Sequence, residues 1–265
     1  MIYYFSATGN SRHVAERLAA ALNEQAQSIE TAETAISLKD GELLGFVTPT
    51  YWNELPSNVR DFMKRLEVTL AKDNYVFTVA TYGMAAGIIG EDARRLLKTK
   101  GIQMDAAYAV QMPDNWTPNF DLSDPVKVQA QVDAAEPQID TLINQIKART
   151  QGNKIPKSLP YIMHFLTEKL QYNSRQTKFL HVDAAKCIGC GLCAKKCPLQ
   201  AIELQADTFE SDKKIKKHPV WVKERCTMCL GCLHRCPQFA IDYDNKTQSH
   251  GQYQHSKYYK KAKEQ

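Results

Sequence analysis

An internal repeat of cysteine-rich segments constrains this chain more than any other feature. Residues 187–204 read CIGCGLCAKKCPLQAIEL, and residues 226–243 read CTMCLGCLHRCPQFAIDY, at an offset of 39. All eight cysteines of the 265-residue chain lie in these segments. Disulfide-bonded secreted proteins usually spread their cysteines, whereas closely spaced clusters are typical of metal ligands in a reducing compartment. The repeat therefore predicts metal ligation and separates a cysteine-free part from a cysteine-rich part.

Both repeats have the spacing C-x2-C-x2-C-x3-C-P. Three cysteines in a tight loop can hold three corners of a cubane [4Fe–4S] cluster, and the fourth ligand then comes from the other repeat. Structural zinc sites are the alternative, but two runs of four cysteines with a following proline are unusual for zinc. We therefore predict two [4Fe–4S] clusters. Their ligands are Cys187, Cys190, Cys193 and Cys236 for cluster 1, and Cys226, Cys229, Cys232 and Cys197 for cluster 2.

Residues 179–245 resemble the bacterial ferredoxins that carry two [4Fe–4S] clusters. The resemblance implies a small α+β domain. As partners we expect redox proteins (a ferredoxin, a flavodoxin or a reductase), because the basic charge of this domain suits an acidic partner. Residues 205–218, between the repeats, are polar and predict a solvated loop or a hairpin. From Lys178 onward, the chain has 16 basic and 9 acidic side chains and therefore a net charge of +7. A basic segment with cysteine pairs is also typical of a zinc-dependent nucleic-acid binder, which is an alternative function. Two oxidised clusters would lower that charge by about four, so we expect no nucleic-acid partner.

Apolar segments alternate with amphipathic segments over residues 1–150, which predicts an α/β domain with a parallel sheet covered on both faces. The predicted strands are Ile2–Phe5, Ser28–Glu30, Leu43–Val47, Tyr75–Ala80 and Met104–Gln111. The predicted helices are Asn10–Leu22, Asn58–Leu70, Ala86–Lys100 and Pro125–Arg149. Residues 151–178 are predicted to be a connector with a short helix over Tyr161–Tyr172, and residues 246–265 a basic C-terminal tail.

Three loops follow predicted strands and carry the candidate binding residues. The loop after the first strand offers hydroxyls and backbone N–H groups at a helix N-terminus, which is typical of an anion site, although a capped helix start is the alternative. It has neither the lysine of a P-loop nor the three glycines of a dinucleotide loop. Its residues are Ser6, Ala7, Thr8, Gly9, Asn10 and Ser11. The other two loops contribute Pro49, Thr50, Tyr51, Trp52 and Asn53, and Thr81, Tyr82, Gly83 and Gly87.

With these loops, residues 1–150 resemble the flavodoxin-like fold. The resemblance implies a doubly wound parallel sheet of five strands, with FMN at the carboxyl ends of the strands. It also implies that Ser6–Ser11 hold the phosphate and that Trp52 and Tyr82 flank the isoalloxazine ring. The alternatives are a surface aromatic for Trp52 and a core residue for Tyr82. Asn115 and Trp116, after the last strand, either contact the flavin or close the sheet edge.

The chain as a whole resembles proteins that fuse a flavodoxin-like domain to a bacterial-type ferredoxin domain. The resemblance implies an electron-transfer flavo-iron–sulfur protein that passes electrons between two clusters, FMN and a redox partner. Two alternatives stay open: a ferredoxin-fed flavin reductase of a quinone or nitro compound, and a flavin-free scaffold that presents a ferredoxin. No catalytic triad or carboxylate pair is visible. Because no signal peptide is visible and the longest uncharged run, Tyr75–Gly90, is too short to span a bilayer, we expect a cytoplasmic protein.

Overall fold

A six-stranded parallel sheet organises the N-terminal half of the chain. The computed structural model describes residues 1–156, 175–206 and 217–258. The elements up to residue 156, which we call the sheet domain, are β1 (Ile2–Tyr4), α1 (Asn10–Leu22), β2 (Ala26–Ser28), β3 (Ala35–Ser37), β4 (Leu43–Pro49), α2 (Ser57–Arg65), β5 (Glu67–Thr69), β6 (Tyr75–Tyr82), α3 (Ile89–Lys98), β7 (Ala106–Gln111), α4 (Pro125–Lys147) and β8 (Gly152–Asn153). The strand order is β2-β1-β4-β6-β7-β8, and β3 pairs separately with β5. The predicted α/β class is confirmed, and β8 adds a two-residue edge strand from the predicted connector.

Helices cover both faces of this sheet, as its almost continuously apolar strands require. On one face, buried side chains of α2 and α3 pack against β1 and β4, with the rings of Tyr3 and Phe62 in edge contact at 5.1 Å. On the other face, buried side chains of α1 and α4, such as Leu18 and Ile139, pack against β6 and β7. The order of the strands reverses between β1 and β4, so the loops that follow these two strands lead to opposite faces of the sheet and leave a crevice between them.

Local sequence signals set several helix ends. Helix α4 begins with Asp124 as its N-cap, whose carboxylate accepts from the N–H groups of Val126 and Lys127, and with proline at its first turn. Helix α2 is shorter than predicted, because its periodic pattern gives way to β5, which pairs with β3. The second strand lies two residues earlier than predicted, at Ala26–Ser28. The connector helix predicted over Tyr161–Tyr172 lies outside the described residues.

The cysteine-rich domain, described over 175–206 and 217–249, has short antiparallel strand pairs and two short helices. Its elements are a 3-10 turn (Thr177–Phe179), β9 (Leu180–Val182), α5 (Leu192–Lys195), β10 (Ile202–Ala206), β11 (Lys217–Trp221), α6 (Gly231–His234) and β12 (Ile241–Tyr243). Strand β9 pairs with β12, and β10 pairs with β11, which agrees with the hairpin alternative for residues 205–218. Within the described ranges, no helix has both the length and the apolar character needed to cross a lipid bilayer.

Candidate functional site

A cavity of about 210 Å³ lies at the carboxyl ends of β1, β4, β6 and β7. It is lined by Ser6, Ala7, Thr8, Asn10, Ser11, Pro49, Thr50, Tyr51, Trp52, Asn53, Thr81, Tyr82, Gly83, Met84, Ala85, Met112, Pro113, Asp114, Asn115, Trp116, Phe120 and Met228. All the residues predicted from the three loops line it except Gly9 and Gly87. The structure therefore brings the three loops together at the crevice where a doubly wound sheet usually binds its ligand.

The loop between β1 and α1 presents backbone N–H groups at one end of this cavity. Gly9 precedes the helix with φ 105°, in the left-handed region, and its N–H donates to Ser6 Oγ at 3.0 Å. The first bond of the helix runs from His13 N to Gly9 O at 2.9 Å, so the N–H groups of residues 10–12 have no acceptor within the helix. Such a helix end attracts anions through its free N–H groups and its dipole.

The second loop is a tight turn that carries Trp52 over the cavity. Tyr51 and Glu54 exchange backbone hydrogen bonds of 3.2 and 3.1 Å, and both residues between them have positive φ, 57° at Trp52 and 63° at Asn53. A positive φ is unusual for a bulky residue, so the surrounding structure must hold the turn. The buried Glu54 carboxylate accepts from Arg60 at 2.7 Å and from Arg175. The Arg175 carbonyl accepts from Cys226 N at 3.2 Å, so this ion pair links the cysteine-rich domain, through the end of the connector, to the sheet domain beside the turn.

Aromatic rings continue from this turn into the cysteine-rich domain. The rings of Trp52 and Trp116 meet edge-on at 5.0 Å, and Trp116 meets Tyr243 of β12 at 5.1 Å. Trp116 also packs against the core of the cysteine-rich domain. Tyr82 is half-buried and lines the cavity. The segment after β7 thus lies between the cavity and the cysteines, rather than only closing the sheet edge.

Asp114 is a cavity residue that the sequence reasoning did not single out. Its carboxylate accepts from Trp116 N at 3.0 Å, and burial raises its pKa. An added Cβ at Gly83 would overlap the Asp114 side chain, so the two loops pack in direct contact. The apolar lining residues Met84, Ala85, Met112 and Phe120 were also missed, because they carry no polar signal in the sequence.

The eight cysteines surround two further cavities, each of about 20 Å³. One is lined by Cys187, Cys190, Cys193 and Cys236, and the other by Cys197, Cys226, Cys229 and Cys232. These sets are the ones predicted for cluster 1 and cluster 2. Among the described residues, which include all eight cysteines, no three Cys, His, Asp or Glu side chains converge to hold a single metal ion. The structure therefore gathers each predicted ligand set around a cavity of its own.

Backbone N–H groups point at the cysteine sulfurs in the same way in both repeats. Gly189 N donates to Cys187 Sγ at 3.4 Å, and Met228 N donates to Cys226 Sγ at 3.3 Å. Ala201 N and Ala240 N donate to the sulfurs of the two cysteines that precede proline. Hydrogen bonds to sulfur are among the features that tune iron–sulfur clusters. The donor set therefore fits iron–sulfur clusters in both geometry and chemistry.

Burial makes the thiolate form of several of these cysteines costly without a metal. It raises the pKa of Cys226 to about 12 and those of Cys193 and Cys229 to about 11. A coordinating metal deprotonates a thiol outright because its positive charge offsets that cost. A metal bound at these positions would therefore have to displace the protons of the thiol groups.

The cluster 2 loop reaches the cavity at the strand ends, although none of the eight cysteines lines that cavity. Met228, between Cys226 and Cys229, lines this cavity. Cys229 is buried within the apolar core of the sheet domain, in the same packed group as Tyr51. Its backbone carbonyl also accepts from Asn115 Nδ2 at 3.4 Å. No sequence signal marks Met228 as a cavity residue, because its position depends on how the two domains dock.

The sheet, the loop at the start of α1, the aromatic cavity and the two cysteine sets are together what is expected of an electron-transfer protein that uses a flavin and iron–sulfur chemistry. The family model of the flavodoxin domain matches residues 1–141, and that of the 4Fe-4S dicluster domain matches residues 186–250. The chain belongs to the flavodoxin domain family, here joined to a ferredoxin-type domain. The predicted flavodoxin–ferredoxin fusion is thereby confirmed.

Comparison with curated proteins finds no match to this chain. Among solved structures, the chain is similar to rubredoxin oxygen:oxidoreductase from Desulfovibrio gigas, with 14% identity and a TM-score of 0.33 over 56% of this chain and 36% of that chain. It is also similar to the Trp repressor binding protein from Bacillus subtilis, with 12% identity and a TM-score of 0.34 over 57% of this chain and 100% of that chain.

Proposed function

We propose that the chain binds one FMN in the cavity at the strand ends and two [4Fe–4S] clusters on the cysteine sets, and that electrons pass among them and to a redox partner. The observation that best supports this proposal is that Met228, within the cluster 2 loop, lines the same cavity as the Ser6–Ser11 loop. In this proposal residues 1–150 form the flavin domain and residues 179–245 the cluster domain, joined by 151–178 and followed by the tail 246–265.

The residues around the cavity suit FMN. The N–H groups of residues 10–12 and the hydroxyls of Ser6 and Ser11 would hold the phosphate without a basic side chain. The Ser11 hydroxyl also hydrogen-bonds Thr81 Oγ1 at 2.7 Å, which joins the phosphate loop to the third loop. Trp52 and Tyr82 would flank the ring, which has apolar faces and a polar edge. Bound FMN supplies an exchange between one-electron and two-electron chemistry.

The order of the centres follows from the contacts of each cysteine set. Cluster 2 would be next to the flavin, because Cys229 belongs to the same buried apolar group as the cavity residue Tyr51 and its neighbour Met228 lines the cavity. Cluster 1 would then be the distal centre and the point of exchange with the partner. Cys190 is exposed, and the neighbouring Ile188 keeps 58% of its surface exposed. The exposed lysines next to this set are Lys186, which precedes Cys187 in the sequence, and Lys217, whose carbonyl lies beside Gly189. Such a surface suits an acidic redox protein, because charge complementarity speeds encounter.

Ligand variants of each cluster test this order in the full chain. After anaerobic reconstitution, the bound flavin is photoreduced, and the signal of a reduced cluster is followed by electron paramagnetic resonance. We expect Cys190→Ser, which removes a cluster 1 ligand, to keep transfer from flavin to the remaining cluster. We expect Cys229→Ser, which removes a cluster 2 ligand, to abolish it. Iron analysis giving about four atoms per chain in each variant is the control.

Reduction of an added acidic ferredoxin is expected to show the opposite dependence. The Cys190→Ser variant should exchange electrons with the ferredoxin slowly, because its distal centre is missing. Equal transfer from flavin in both variants, or transfer lost only in Cys190→Ser, would contradict the proposed order. Turnover of quinones by the FMN-loaded chain would instead favour the reductase alternative, and failure to bind FMN would favour the scaffold.

A further inference from the structure

The C-terminal segment His250–Tyr258, which we call the strap, lies across the phosphate loop. The His255 N–H donates to the Thr8 carbonyl at 2.7 Å, and the Tyr253 hydroxyl donates to Asn10 Oδ1 at 2.5 Å. The rings of His255 and His13 stack at 4.3 Å between centroids. Both Tyr253 and His255 are buried, at 4% and 3% exposure. The strap is therefore packed against the loop that we assign to the FMN phosphate.

The contact with Thr8 sets the direction of a peptide bond in the phosphate loop. The C=O and N–H groups of a trans peptide point in opposite directions. With the Thr8 carbonyl turned to the strap, the Gly9 N–H points the other way, to Ser6 Oγ. An added Cβ at Gly9 would lie 2.7 Å from His255 Cβ and 2.9 Å from Tyr258 Cδ2. Gly9 thus serves both the left-handed turn and the close approach of the strap.

The contact with Asn10 holds a side chain that lines the cavity. Asn10 Nδ2 donates to the Pro113 carbonyl at 3.1 Å, while Asn10 Oδ1 accepts from Tyr253. The amide is therefore held between the loop after β7 and the strap. Its hydrogen bonds identify which end is oxygen and which is nitrogen, because Tyr253 can donate and the carbonyl can only accept. Loss of the Tyr253 hydroxyl would leave one end of this buried amide without its partner.

The strap also contacts the segment that follows the cluster 2 loop. Gln252 Nε2 donates to the carbonyls of Leu233 and Cys236 at 2.6 and 2.8 Å, and Tyr253 N donates to His234 Nδ1 at 3.1 Å. Arg235 from the same segment donates to the Ser6 carbonyl at 3.1 Å. The phosphate loop is thus held from one side by the sheet domain and from the other by residues of the cysteine-rich domain and the strap.

We propose that Tyr253 and His255 are positioning residues of the flavin site, and that the strap couples FMN binding to docking of the cysteine-rich domain. The inference rests on the proposed placement of FMN. A strap that preorganises the loop avoids part of the ordering cost when the phosphate binds. Linkage requires the reverse effect as well, so that bound FMN stabilises the strap in its packed state.

The test measures FMN and riboflavin affinity by flavin fluorescence in the reconstituted full chain and in three variants. We expect Tyr253→Phe to weaken FMN binding about 3- to 10-fold, as the loss of one hydrogen bond implies. His255→Pro, which removes the N–H that binds Thr8, should weaken it about 10-fold or more. Tyr108→Phe is the matched control, since its buried hydroxyl hydrogen-bonds Tyr75 away from the cavity. It should leave FMN affinity unchanged while lowering stability.

Two further readouts separate a positioning role from a purely structural one. Riboflavin lacks the phosphate, so its affinity should change less than that of FMN in both strap variants. Hydrogen exchange at the strap should slow when FMN binds to the unaltered chain, and this protection should shrink in Tyr253→Phe. Equal FMN affinity in the unaltered chain, Tyr253→Phe and His255→Pro would overturn the strap inference alone. Failure of the unaltered chain to bind FMN would overturn the proposed function and the inference together.

Discussion

A methyl group added at Gly87 tests whether the turn that carries Trp52 shapes the flavin site. An added Cβ at Gly87 would lie closer than 3.0 Å to the carbonyl oxygen, carbonyl carbon and Cα of Asn53, whereas ordinary contacts are 3.4–4 Å. The loops must then separate by about 1 Å, which strains or breaks the 2.7 Å hydrogen bond from Ile88 N to Asn53 O. Gly87 has φ 62°, and alanine there adds about 1–2 kcal/mol of backbone strain.

We therefore expect Gly87→Ala to lower the free energy of unfolding by about 2–4 kcal/mol and to weaken FMN binding at least about 10-fold. Urea denaturation and fluorescence titration with FMN measure the two effects. Gly101→Ala is the matched control, because Gly101 has φ 73° but an added Cβ meets nothing within 4 Å. It should show only the backbone strain and normal FMN affinity. If both variants behave alike in stability and affinity, the turn does not shape the site.

Three further predictions concern stability. Phe62→Ala leaves a cavity at a fully buried position between α2 and the sheet. We expect it to lower the free energy of unfolding in urea by about 3–5 kcal/mol, while the folded fraction still binds FMN. Glu54→Ala removes the carboxylate that pairs with the guanidinium groups of Arg60 and Arg175. Because both arginines are partly exposed, we expect the free energy of unfolding in urea to fall by about 2 kcal/mol. Burial lowers the pKa of His255 to about 4. In the unfolded chain His255 has its usual pKa and is protonated at higher pH than in the folded chain. The melting temperature should therefore fall as the pH drops from about 6.5 to about 4, and it should fall less in His255→Gln.

The sheet and the cysteine sets could be predicted because each depends on a local pattern. Apolar strands alternate with amphipathic helices, and parallel strands direct the loops that follow them to one edge of the sheet. The cysteine spacing requires an exchanged fourth ligand, and the two cavities in the structure contain those sets. The predicted end of α2 was wrong because the apolar Leu66 continues the helical pattern, whereas β5 is set by its pairing with the distant β3.

The strap and the inner wall of the cavity could not be predicted, because both depend on contacts between distant segments. Tyr253 and Asn10 are 243 residues apart, and neither has a neighbour in the sequence that indicates the other. The tail after Asn245 shows no regular spacing of apolar residues from which a helix or strand could be predicted. Hydrogen bonds of Gln252, Tyr253 and Gln254 hold it in place instead. Met228 reaches the cavity only because the cysteine-rich domain docks against the loops of the sheet domain.

Cofactor analysis of the full chain tests the central claim most directly. The chain is reconstituted anaerobically with iron, sulfide and FMN, and the bound iron, sulfide, zinc and flavin are measured after gel filtration. Two [4Fe–4S] clusters and one flavin predict about eight iron atoms, about eight sulfides and about one FMN per chain. Bound zinc in place of iron, about four iron atoms, or a chain that retains no flavin would contradict the claim.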